Sequence, residues 1–130
     1  MNTFGCQSMV APIRRVIMKK PEDAFRSREQ IDKEWKSLGY LRPPDLARAS
    51  RDHAVLTDLL TQAGAEVLYL PADNRTGLDS LYTHDPVLVT DQGAIIFQMG
   101  KIARRGEGPA FQDALQSWNE IGRASCRERV

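Results

Sequence analysis

The chain has 130 residues, 42% of them hydrophobic and 27% charged, with a formal net charge of +1 and two cysteines. A near-neutral chain has no electrostatic footprint for nucleic acid or an anionic membrane, and no apolar run approaches the ~18–20 residues of a membrane-spanning helix. The opening "MNTFGCQSMVAPIRR" lacks the charged-then-apolar order of a secretory signal, and so few cysteines make no disulfide framework, so a reducing, cytoplasmic setting is expected.

In chain order, "RRVIMKKP" holds a short β-rich apolar run at 16–18, closed by Pro21, and reads as a first strand. "PEDAFRSREQIDKEWKSLGY" reads as one helix: Phe25, Ile31, Trp35 and Leu38 are loosely helical in spacing, Pro21 suits the start and Gly39 the end. "LRPPD" breaks it, because two prolines do not continue a helix. "DLARASRDHAVLTDLLTQAGAE" is the clearest helix. Asp45 is its expected N-cap and Gly64 its C-cap, with Leu46, Ala49, Val55, Leu56, Leu59, Leu60 and Ala63 as its apolar stripe. "EVLYLP" is then a buried strand ended by Pro71, and "ADNRTG" a polar loop. "LDSLYTHDPVLVTDQGAIIFQMG" reads as two strands around the turn "TDQG", that is, a hairpin. After the loop "KIARRGEGP", "PAFQDALQSWNE" begins another amphipathic helix. Alternating strands and helices predict an α/β class.

The end, "IGRASCRERV", is what ATC GGA AGA GCG TCG TGT AGG GAA AGA GTG encodes, a string that matches a common sequencing-library adapter read in frame. Residues 121–130 are therefore expected to be adapter-derived, with the natural sequence cut near Glu120, and are set aside from fold reasoning. Cys126 sits among Arg123, Arg127 and Arg129, cations that favour a thiolate, but with no base or orienting group nearby in sequence it is not taken as a nucleophile. The tail contributes +2, which leaves residues 1–120 at −1, with Cys6 as their single cysteine.

No GxGxxG, P-loop, zinc spacing or G-x-S-x-G elbow occurs, and His53 and His84 form no local metal motif. The informative stretch is "LDSLYTHDPVLVTDQGAIIFQMGKIARRGE". Asp79 and Asp85 are six apart, an even spacing that points both carboxylates to one side if the segment is extended. Pro86 holds Asp85 in extended geometry. Arg104 and Arg105 lie beyond the hairpin, where the chain returns toward the same end. Carboxylates match a planar guanidinium fork and an arginine matches a ligand carboxylate, so the set suits an arginine-like amino acid. Asp before Pro and Arg-Arg in a loop also serve turns and solvated surfaces, so the pattern alone leaves both readings open.

The stretch "LYLPADNRTGLDSLYTHDPVLVTDQGAIIFQMGKIARRGE", together with the leader "FGCQSMVAPIRRVIMKKP", resembles the N-terminal half of the dimethylarginine dimethylaminohydrolases. These belong to the guanidino-modifying, or pentein, superfamily with the arginine deiminases and amidinotransferases. The likeness runs over residues 14–120 and is most specific over 68–107. It implies an α/β propeller of five ββαβ-type modules, of which residues 1–120 supply roughly the first two. It also implies that Asp79 and Asp85 hold or flank a substrate guanidinium, and that Arg104 helps position the amino-acid end, with Arg105 as its neighbour. His84 stands where those enzymes usually have Glu, which leaves the exact substrate open.

The implied chemistry is attack of a cysteine thiolate on the guanidinium carbon, loss of an amine, and hydrolysis to a ureido product, with a histidine moving protons. It implies no metal or organic cofactor. The catalytic cysteine, histidine and acidic partner are expected beyond Glu120, and Cys6 matches none of them, so this chain alone is expected to be inactive. A cut propeller is also expected to leave edges and apolar faces unpaired. An amidinotransferase or arginine deiminase shares the pattern, and a non-catalytic arginine-binding or interaction domain on the same fold is the reading from another class.

Overall fold

The computed structural model describes residues 8–118 and the backbone of residues 127–128. Cys6, Cys126 and the expected junction at Glu120 lie outside the described residues. Strand β1 (Arg15–Met18) pairs in parallel with β2 (Glu66–Tyr69), in a register that sets Arg15 opposite Glu66 and Met18 opposite Tyr69. Between them come helices α1 (Pro21–Phe25), α2 (Arg28–Glu34) and α3 (Leu46–Gln62). A 3-10 turn (Leu78–Leu81) leads into an antiparallel hairpin of β3 (Val87–Thr90) and β4 (Gly93–Phe97), followed by a second 3-10 turn (Ile102–Arg104) and α4 (Glu107–Ser117). This mixed helix-and-strand order agrees with the predicted α/β class.

The single helix expected over residues 21–38 is two helices. Ser27 caps α2 by accepting from the Gln30 backbone N–H at 3.2 Å, and Arg26 turns the chain with a positive φ of 63°. The signal was present as Ser27-x-x-Gln30, a capping-box spacing strong enough to restart a helix inside an apolar pattern. Arg26 then spends its guanidinium on the carbonyls of Asp73 and Thr76, tying the first helical turn to the loop before the 3-10 turn.

Helix α3 starts at the expected cap, with Asp45 Oδ1 accepting from Arg48 N at 3.0 Å, and ends at Gly64, whose φ of +93° lets the chain reverse into β2. Its buried side differs from the expected stripe. Leu46, Ala49, His53, Thr57 and Leu60 face the protein, while Val55, Leu56 and Leu59 are about half exposed or more. The inward face is anchored by polar groups: Thr57 donates to the His53 carbonyl at 2.9 Å, and Tyr69 of β2 donates to Thr57 at 3.3 Å. Leu and Val on the flank were read as core because periodicity alone does not tell a polar anchored face from an apolar one.

Two apolar clusters form. One joins Leu70, Val87, Ala94, Ile96, Phe111 and Leu115, so that alternate residues of the hairpin pack against α4. The other joins Phe25, Ile31, Leu38 and the fully buried Leu78, so that α1 and α2 close over the 3-10 turn. The segment Leu78–Leu81 is thus helical, not the extended strand expected there. The expected hairpin begins only at Val87 and turns at Asp91 and Gln92. A two-residue strand, β5 (Arg127–Glu128), lies parallel to β4 with Ile96 opposite Arg127. It comes from the segment set aside in the sequence, and an unpaired sheet edge accepts such a partner readily.

Gly106 precedes α4 against the Arg75 carbonyl; a Cβ there would lie 2.0 Å from that oxygen. Gly106→Ala is therefore expected to destabilise the fold by about 1–3 kcal/mol through overpacking, and Leu78→Ala by about 2–5 kcal/mol. Leu59→Gln, on the exposed flank of α3, is expected to stay within about 0.5 kcal/mol of the parent. Urea titration measures all three, and a Leu59→Gln loss as large as that of Leu78→Ala would refute this assignment of faces. A second expectation concerns pH. Burial holds the His53 imidazole below its usual range, against the pull of Glu22 and with the help of Lys20, and its Nε2 is buried with no hydrogen-bond partner. The neutral ring belongs to the fold, so its contribution is complete above about pH 6.5 and is lost as pH falls below that. The melting temperature should fall from pH 7 to pH 5, and His53→Gln should flatten that fall; an unchanged slope would count against it.

Candidate functional site

The site is assembled around the loop that joins β2 to the first 3-10 turn. Asp73 accepts from the Arg75 backbone N–H at 2.8 Å and from its guanidinium at 2.7 and 3.0 Å, bonds that pull the Asp73 carboxyl down to about 2. Arg75 reaches on to Asp113 of α4 at 2.7 Å. Glu34, at the end of α2, accepts from the Leu78 backbone N–H at 3.0 Å and so satisfies the start of the turn. Held at both ends, the turn buries Leu78 in the apolar cluster and puts Asp79 beside it, with a side chain only 5% exposed.

Arg104 arrives from the end of the second 3-10 turn, itself buried. Its Nε and one terminal nitrogen donate to the two oxygens of Glu107 at 2.7 and 2.8 Å, a fork-on-fork contact. The other terminal nitrogen donates to Asp85 Oδ2 at 2.9 Å, and a further bond reaches the Asp79 carbonyl at 3.2 Å. Its Nε also lies 3.9 Å from Asp79 Oδ2. Burial opposes the charge on Arg104, but the bonds to Glu107 and Asp85 more than offset it and raise the guanidinium pKa.

Asp79 takes a second cation, Lys101, whose Nζ is 3.2 Å from Oδ2 and 2.9 Å from the Leu38 carbonyl. The Tyr40 hydroxyl is buried near Asp79 and Tyr82 without a hydrogen bond of sound geometry, and burial, with Asp79 beside it, holds the phenol well above its usual range. Lys19, buried just past β1, donates to Thr76 at 3.1 Å; burial lowers its pKa, helped by Arg26, while Asp73 and Glu107 act the other way. A cleft of about 200 Å³ opens beside this network, bounded by Glu34, Leu38, Asn74, Asp79, Arg104 and Glu107.

Asp79, Asp85 and Arg104 therefore converge, but through a buried helical turn and not through alternation along a strand. His84 stands apart: it is exposed, and among the described residues no hydrogen bond or ion pair joins it to the network. Arg105 is likewise exposed. Sequence reasoning missed Glu107, Lys101, Lys19 and Tyr40. Glu107 was legible as an acid three residues after Arg104 at a helix start. Nothing local marks the others, because their partners are distant in sequence. Among the described residues no group of three or more His, Cys, Asp or Glu side chains is arranged to hold a metal ion, and no helix is long and apolar enough to cross a membrane. Chemically, the arrangement offers a half-exposed carboxylate, Asp85, held by a buried guanidinium.

No family model matches the chain. Among curated proteins it is 35% identical over 77 residues to the N(G),N(G)-dimethylarginine dimethylaminohydrolase of Pseudomonas aeruginosa, a match that covers 59% of this chain and 30% of that protein. Among solved structures, a dimethylarginine dimethylaminohydrolase in adduct with 4-chloro-2-hydroxymethylpyridine superposes with a TM-score of 0.62 at 28% identity, covering 91% of this chain and 40% of that one. A variant of such an enzyme, in adduct with S-methyl-L-thiocitrulline, gives a TM-score of 0.63 at 27% identity, covering 91% of this chain and 42% of that one. The chain thus spans well under half the length of the relatives it matches. Over the part they share, the chain is similar in both sequence and fold to the dimethylarginine dimethylaminohydrolases.

Proposed function

We propose that residues 1–120 are the N-terminal part of a catalytic domain that hydrolyses the guanidino group of arginine or a methylated arginine, contributing about two of five propeller modules and part of the substrate-binding floor. Residues 121–130 are read as adapter-derived. The observation that carries this reading is the Asp85–Arg104 contact of 2.9 Å, in which a carboxylate with a 44% exposed side chain is oriented by a buried guanidinium. Asp85 then receives the substrate guanidinium with the oxygen that Arg104 leaves free. Arg104 donates four hydrogen bonds to the protein itself. It acts through Asp85 as a positioning residue, and the exposed Arg105 is the better placed of the two for a ligand carboxylate. The adduct of a related enzyme with S-methyl-L-thiocitrulline, an arginine-like amino acid, supports the substrate class.

The cysteine, histidine and acid that complete the chemistry are supplied by sequence that continues beyond Glu120 in the natural gene, so this chain by itself turns nothing over. The test is to express that longer gene and measure citrulline released from NG,NG-dimethyl-L-arginine and from L-arginine. Asp85→Asn should lower kcat/KM by about 10–100-fold, the value of a charge-assisted hydrogen bond. No turnover of either substrate by the longer protein, or turnover indifferent to Asp85→Asn, refutes the reading. So does citrulline formation by the present chain.

A further inference from the structure

Two cations, Arg104 and Lys101, serve the two candidate carboxylates unevenly. Asp85 has one partner, Arg104, and remains 44% exposed along its side chain. Asp79 is 5% exposed and has two: Lys101 at 3.2 Å and Arg104 at 3.9 Å from the same oxygen. A third cation approaching a buried carboxylate that already faces two is repelled by those two, because like charges a few ångströms apart interact strongly where water is sparse. Lys101 is not there by chance of a loose surface pairing. Its Nζ also donates to the Leu38 carbonyl at 2.9 Å, so one ammonium is held at two points, one on the 3-10 turn and one beyond α2. The Lys101 side chain as a whole is 56% exposed, so the ammonium reaches in from outside.

We propose that Lys101 is a specificity-determining residue: it is the resident counter-ion of Asp79, withdraws that carboxylate from the ligand, and leaves Asp85 as the one place for a ligand cation. This rests on the function proposed above and deepens it. The ligand is then a guanidino compound that presents a single cationic group here, with no second cation directed at Asp79.

The experiment uses this chain, labelled with carbon-13, and methylguanidinium chloride as probe, reading the side-chain carboxylate carbons of Asp79 and Asp85 at pH 7. In the parent, the Asp85 carbon shifts saturably and the Asp79 carbon does not. In Lys101→Ala, the Asp79 carbon shifts as well, and the probe binds about fivefold tighter or more, as expected for removal of one competing ion contact. Lys101→Arg, which keeps a cation in place, retains the parental pattern. If Lys101→Ala does not fold, Lys101→Gln keeps a donor for the Leu38 carbonyl and serves the same comparison. An Asp79 carbon that responds in the parent as it does in the variant overturns the proposal, and so does one that stays silent in the variant. The Asp85 carbon reports separately on the function proposed above: its silence in the parent refutes cation capture there, while the Asp79 comparison still judges Lys101.

Discussion

The fork between Arg104 and Glu107 is the contact that the rest of the site depends on. Arg104 closes the second 3-10 turn and Glu107 opens α4, so their bonds fix how the chain leaves the hairpin and where the helix begins. That in turn sets Phe111 and Leu115 against Ile96 in the apolar cluster. Burying an ion costs several kcal/mol even after relaxation, and a pair recovers this only with good geometry and satisfied lone pairs. Here both carboxylate oxygens of Glu107 are met, and two further guanidinium protons go to Asp85 and the Asp79 carbonyl. Among the described residues the buried charged ones are Lys19, Asp79, Arg104 and Glu107, two of each sign, so their formal charges cancel.

That neutrality assigns roles that residue type alone does not. An arginine beside two aspartates in a sequence suggests three ligand-binding groups. In the folded chain the arginine is committed to a glutamate that lies in the next helix, and one aspartate is committed to a lysine. What remains for a ligand is the group least needed for internal balance. Asp85 is that group, because its backbone is fixed between the Tyr82 carbonyl and Pro86 while its carboxylate keeps an oxygen free. Rigidity of the backbone and spare capacity of the side chain are what a binding residue needs together.

Much of this was legible in the sequence. The strands at 15–18 and 66–69, the Asp45 cap, the Gly64 reversal and the hairpin turn follow local chemistry that tertiary context leaves intact. The convergence of Asp79, Asp85 and Arg104 was also legible, though for the wrong geometric reason. Leu78 is apolar enough to be pulled inward between α1 and α2, and a 3-10 turn results where alternation suggested a strand. The missed residues share one property: Lys19 meets Thr76 across 57 positions and Lys101 meets Leu38 across 63. Such pairings depend on the packed fold and leave no periodic trace. The same holds for α3, where Tyr69 selects the face carrying His53 and Thr57 over the one carrying Val55 and Leu59.

The loose ends of the structure fall outside the site. Among the described residues, Val55, Leu56 and Leu59 are about half exposed or more on α3, β1 and β2 form a parallel pair with no further strand, and the edge of β4 is met by two residues. Isolated small sheets of this kind are weak, and uncovered apolar faces add no stability. Yet among the described residues the bonds that orient Asp79, Asp85 and Arg104 are made within residues 34–107, by Glu34, Leu38, Lys101, Glu107 and one another. The periphery and the charged cluster are therefore separable: the first limits how stable the chain is, and the second keeps its geometry as long as the two apolar clusters beside the buried charges stay closed. A measurement on this chain therefore reads the Asp79, Asp85 and Arg104 cluster itself, because the bonds that orient it among the described residues are made within residues 34–107.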